Sequence, residues 1–190
     1  MIRCERTEEP PNFDAEVRRP GNGWLEKNPH KRRPRDFWVV ITSALAAAFK
    51  QRCAYSAIAI YDGQVDHFVS CHEDRSLAYE WSNYRYCSPS INSRKNRVRA
   101  SELLDPCMIE DDWFELILPS LQLRVTERCP AEQRERANNA IARLGLRDGE
   151  PVIRYHRAWL EHYERNPSIL DVLDEVDPLL ARAIRKRDGL

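Results

Sequence analysis

The sequence has no surplus of charge: 30 Lys and Arg stand against 30 Asp and Glu, a formal net charge of zero. A uniformly basic nucleic-acid binder is thereby excluded, so any contact to a polyanion must come from a local patch. No run of 18 apolar residues occurs, and nothing reads as a membrane-spanning helix. The opening residues, MIRCERTEEPPNF, lack the apolar centre of a signal peptide, which predicts a cytoplasmic protein. Cysteines stand at 4, 53, 71, 87, 107 and 129 without a CxxC pair. In the cytoplasm they are expected to be reduced thiols rather than disulfides. Internal repeats, a glycine-rich phosphate loop and GxSxG are all missing. Kinase, P-loop and serine-hydrolase chemistry therefore have no residues to stand on.

What is present is enough for one core: 190 residues, 42% hydrophobic, five Trp. The informative stretch runs from Cys53 to Lys95. Residues 57–60 and 65–69 are β-prone runs flanking Asp62-Gly63, a pattern that predicts a hairpin. Asp66 and His67 sit side by side on the second strand. Ser88-Pro89 reads as an N-cap and a first-turn proline, opening a short helix over 88–95 that contains Asn92. A polar excursion with Asn83 joins strand to helix. Neighbouring strand residues point to opposite faces. Asp66 and His67 can serve one site only where the strand ends or bulges.

Asp66-His67, Asn83 and Asn92, in that order across hairpin and helix, resemble the HNH (ββα-metal) nuclease motif. The phrases LAYEWSNYR, INSRK, LLDP and DDWFELIL extend the likeness to the HNH proteins that include the nuclease subunit of the Septu anti-phage system. It spans EEPPNF through the helix ending LGL. The resemblance implies that His67 is the general base and that Asp66 and Asn92 hold one divalent ion, Mg²⁺ or Mn²⁺. It implies that Asn83 ties the loop of the catalytic motif. It further implies an α+β fold, with a ββα core over 51–100 between an N-terminal extension and buried helix (1–50) and a hairpin with C-terminal helices (101–190). The implied function is endonucleolytic cleavage of nucleic acid, DNA in particular, as a phage-defence effector. The implied partner is an ATPase subunit or a second copy of the chain. A catalytically silent nucleic-acid-binding or complex-forming module is the alternative.

Many relatives of this motif frame it with two CxxC pairs holding a structural zinc. Here those places read Cys53-Ala-Tyr-Ser56 and Cys87-Ser-Pro-Ser90. Serine is a poor ligand beside thiolate, so no structural zinc is expected. The competing possibility is a rebuilt site from Cys53, Cys87, Cys71 and His72. His72 is also a candidate extra ligand or phosphate donor.

Cations cluster in two places. Arg85, Arg94, Lys95, Arg97 and Arg99 occupy a stretch without an acid and are expected to contact phosphate. Lys31, Arg32, Arg33 and Arg35 form a second cluster, either solvated or phosphate-contacting. Asp36 reads as the N-cap of a buried helix over 37–50. Residues 113–118 and 121–125 suggest a hairpin broken at Pro119-Ser120. Helices follow over 131–144, stopped by Gly145, and over 151–165, with a Val152, Tyr155, Trp159, Tyr163 stripe suited to core or interface. Ser168 and Asp171 approximate a capping box, Pro178 splits the last helix, and 181–190 is expected to fray.

Overall fold

In the computed structural model, which describes residues 1–96 and 98–190, the N-terminal region is more helical than its Pro-Gly content suggests. A wide turn at Asp14–Arg18 leads into α1 (Arg19–Lys27), with Pro20 in the first turn, where its missing N–H costs nothing. Gly21 is there for space. A Cβ on it would come 2.3 Å from the Tyr79 ring. The helix expected over 37–50 is broken in two. A tight 3₁₀ turn at Phe37–Ile41 precedes α2 (Thr42–Ala48). Asp36 does not cap it; its carboxylate pairs with Arg33. Leu45 and Ala46 are buried, but Val39 and Val40 stay exposed.

The expected Asp-Gly hairpin does not form. Strand β1 (Gln64–His67) pairs instead with β2 (Tyr84–Cys87), antiparallel, with Asp66 opposite Arg85 and His67 opposite Tyr84. Residues 57–60 contribute one isolated bridge, Arg52 to Ala59. Two causes explain the difference. The run YRYC is itself strongly β-prone and offers β1 a fully buried partner. Gly63 acts through its missing side chain, since a Cβ would lie 2.2 Å from the Tyr86 ring, and its N–H donates to the Tyr86 hydroxyl at 3.1 Å. Helix α3 (Pro89–Lys95) begins where Ser88-Pro89 predicts, with the Ser88 hydroxyl accepting from the Ile91 N–H.

The strand register sorts side chains into two layers. Val65, His67, Tyr84 and Tyr86 face one core with Phe13, Val17, Leu45, Tyr79 and Trp81. Its rings meet edge to face, Phe13 with Trp81 at 5.7 Å and with Tyr84 at 5.9 Å, and such pairs add about 0.5–1.5 kcal/mol beyond burial. Asp66, Arg85 and Cys87 face the other way. Cys87 joins the larger core with Cys53, Tyr55, Ile91 and the C-terminal helices.

Strands β3 (Phe114–Ile117) and β4 (Gln122–Val125) form the second antiparallel sheet, as the break at Pro119-Ser120 suggests. Helix α4 (Ala131–Arg143) is followed by Gly145 at φ +67°, a left-handed position that favours glycine. Helix α5 (Glu150–Arg165) carries the aromatic stripe, with Tyr163 buried and Trp159 half-buried. The capping box at Ser168 is not formed; that hydroxyl bonds Asn166, and a 3₁₀ turn leads into α6 (Leu170–Val176). Pro178 opens α7 (Pro178–Asp188), capped by Asp177. The end does not fray from residue 181. Ala181 and Ile184 are buried, and Arg182, Arg185 and Lys186 pair with Asp111, Asp174 and Glu115. No helix among the described residues is long and apolar enough to cross a membrane.

Candidate active site

Strand β1 stops at His67, and a cavity of about 570 Å³ opens across its end. Asp66, His67 and Asn92 all line it. This resolves the facing problem. The two neighbours do point to opposite layers, and both line the cavity at the point where the strand ends, at His67.

His67 is held from three sides. Its Nε2 lies 2.8 Å from the Ala78 carbonyl. A carbonyl only accepts, so Nε2 carries the proton and Nδ1 carries the lone pair. Trp38 meets the imidazole edge to face at 4.6 Å, and Tyr84 meets it at 5.1 Å. Burial between these rings pushes the His67 pKa below its ordinary 6.5. The imidazole is thus neutral near pH 7, in one tautomer, with Nδ1 as its base.

Asn83 is bonded into the loop that follows β1. Its Oδ1 accepts from the Val69 N–H at 2.8 Å, and its Nδ2 donates to the Val69 and Leu77 carbonyls. It clamps both ends of the loop between His67 and Ala78 and is not among the residues that line the cavity.

Asp66 is 4% exposed and fully engaged. The Tyr55 hydroxyl donates to its Oδ2 at 2.6 Å, and the Lys95 ammonium donates to its Oδ1 at 3.0 Å. Burial raises the Tyr55 pKa well above its usual value, so the phenol stays a neutral donor. Lys95 also donates to the His67 carbonyl at 2.6 Å. Asn92 donates from Nδ2 to Gln64 at 3.2 Å, which leaves its Oδ1 unused among the described residues. One carboxylate and one amide oxygen on a cavity wall suit an oxygen-preferring ion that keeps its own waters, Mg²⁺ or Mn²⁺. The donor set fits such an ion, on condition that Lys95 releases Asp66.

Two of the expected phosphate contacts are not on the surface. Arg85 is 3% exposed and forms a two-bonded pair with Asp105, Nε to Oδ1 at 2.9 Å and Nη2 to Oδ2 at 2.6 Å. Its strand register turns it into the larger core, where a lone charge would be costly. Lys95 is 1% exposed, because the helical spacing from Asn92 brings it over Asp66. Arg94 and Arg99 are exposed. Arg94 lies against Gly145, and Arg99 stands beside Ser70, His72 and Glu73. Arg97 lies outside the described residues.

The exposed cations at the cavity come from elsewhere. Arg32 and Arg33 line it together with Trp38, Val39 and His72. The N-terminal segment thus contributes to the lining of the cavity. The basic cluster was legible as charge, but Trp38 carried no sequence signal beyond its type.

Cys53 and Cys87 are both buried, and the Cys87 thiol donates to the Ser88 carbonyl at 3.4 Å. Cys71 lines the cavity with His72 instead. The four-residue rebuilt site is therefore not assembled, and among the described residues no three His, Cys, Asp or Glu side chains group to hold a metal. All six cysteines are free thiols. No protein-family model matches the chain, and no curated protein matches it in sequence.

Proposed function

We propose that this protein is a metal-dependent endonuclease of the HNH type that hydrolyses phosphodiester bonds, with DNA as substrate. The observation behind this is the state of His67. A neutral imidazole in one tautomer, on a side chain that lines the cavity at the end of a strand and with Nδ1 unbonded among the described residues, can take a proton from water.

The chain's own groups divide the work. The backbone carbonyl of Ala78 fixes which nitrogen acts. His67 Nδ1 accepts the proton as the water oxygen attacks phosphorus and the bond to the 3′ oxygen breaks. Arg32 and Arg33 face the incoming phosphate charge. Asp66 and Asn92 hold the divalent ion, which when bound supplies charge neutralisation at the scissile phosphate and the departing oxygen. The likeness to Septu-type subunits adds a phage-defence role, and an ATPase subunit or a second copy of the chain as licensing partner.

A catalytically silent nucleic-acid-binding module is the second possibility. One observation favours it: both oxygens of Asp66 already have partners. A plasmid-nicking assay separates the two. An endonuclease converts supercoiled plasmid to nicked circles with Mn²⁺ or Mg²⁺ and stops with chelator. A silent module retards the plasmid on a gel and leaves it supercoiled.

A further inference from the structure

Lys95 is a buried ammonium on a proposed metal ligand. It donates to Asp66 Oδ1 at 3.0 Å and to the His67 carbonyl at 2.6 Å, and it lines the same cavity as Asn92. An ammonium has three N–H donors. Two are used among the described residues. Tyr55 takes the other carboxylate oxygen. Asp66 is the one acid in this cluster on β1, α3 and the Tyr55 segment, so its single negative charge is already neutralised.

We propose that Lys95 is a built-in competitor for the divalent ion: it occupies Asp66 when the protein is metal-free and is displaced into the cavity when the ion binds. This rests on the metal-dependent reading above. The physical ground is charge. A divalent ion ligated by Asp66 within hydrogen-bonding distance of an ammonium would put three positive charges on one buried carboxylate, where repulsion is strong. Without the ion, a carboxylate as buried as Asp66 needs a cation. The two occupants are therefore exclusive. The displaced ammonium, tethered to α3, stays at the cavity where a substrate phosphate would lie. Metal affinity is then set by a side chain that does not ligate the metal.

The test is direct Mn²⁺ binding without nucleic acid, by calorimetry and by the loss of the free-ion paramagnetic resonance signal. Lys95→Met removes the competitor and keeps the aliphatic stem. It should bind Mn²⁺ roughly tenfold more tightly than wild type, or better, as couplings between two sites commonly measure. Asp66→Asn should bind at least tenfold more weakly. Equal Mn²⁺ affinity in wild type and Lys95→Met overturns the competition and leaves the nuclease reading standing. No Mn²⁺ binding by either overturns both. Lysine acylation of the wild-type protein, read by mass spectrometry, covers the case of a variant that misfolds. Lys95 should label slowly without metal and several-fold faster with saturating Mn²⁺, while exposed Lys31 serves as reference. Unchanged Lys95 labelling under saturating Mn²⁺ also refutes displacement.

Discussion

The indole of Trp38 stands edge to face against the imidazole of His67, ring centres 4.6 Å apart. The contact joins the N-terminal segment to the end of β1. It adds to the burial of the ring, and burial is the main cause of the lowered His67 pKa.

That gives a pH prediction. The acid limb of kcat/KM should fall below pH 6.5, because His67 stays neutral to lower pH than a free imidazole. Trp38→Ala should move the limb up towards 6.5 and slow cleavage, whereas a change that only loosens the fold would lower the rate without shifting the limb. The same group affects stability. Its contribution is present above the unfolded value near 6.5 and is lost as pH falls through the folded value. Denaturant titrations across that window would register it.

The two walls of the cavity should behave differently from the buried cations. Arg32→Ala with Arg33→Ala should weaken binding to all sequences and flatten the salt dependence by about 0.9 per lost phosphate contact. Fluorescence anisotropy at several salt concentrations measures both. An unchanged slope would assign these arginines to an ordinary solvated surface.

Arg85→Met should act on stability. It leaves part-buried Asp105 with only the exposed Arg6 and the Cys107 N–H, and breaking a buried pair costs up to about 3–5 kcal/mol. Urea unfolding would show this as a large drop in midpoint. A protein of wild-type stability with weakened DNA binding would return Arg85 to the phosphate-contacting set.

Asn83→Ala should free the loop that it clamps. Three hydrogen bonds are lost; the Val69 N–H and carbonyl lose their partners, while the Leu77 carbonyl keeps the Glu80 N–H. With about 1 kcal/mol typical for each bond, the loss should approach about 3 kcal/mol. Limited proteolysis between residues 70 and 77 should speed up. Proteolysis at the wild-type rate would show that Asn83 does not hold this loop.

Much of this arrangement was legible before the structure. The Ser88-Pro89 start of α3, the second hairpin and the Gly145 stop follow from local chemistry, and local chemistry decided them. The first hairpin was misread because Asp62-Gly63 looks like a turn, while the space needed by the Tyr86 ring is a tertiary fact. Asp66, His67 and Asn92 were legible as a set, but their convergence depends on where β1 ends. Arg85 and Lys95 were read as surface cations because local charge density says nothing about facing. Strand register turns the first to Asp105, and helical spacing from Asn92 turns the second to Asp66. The wall supplied by Trp38 is a long-range contact with no local signature.

The most direct test of the account is His67→Ala in the Mn²⁺-dependent plasmid-nicking assay, beside wild type at equal concentration and with folding checked by circular dichroism. Removing the base should lower the nicking rate by about 10²–10⁴-fold while DNA retardation is kept. Nicking by a folded His67→Ala protein within a few-fold of wild type would contradict the assignment of His67 as the base.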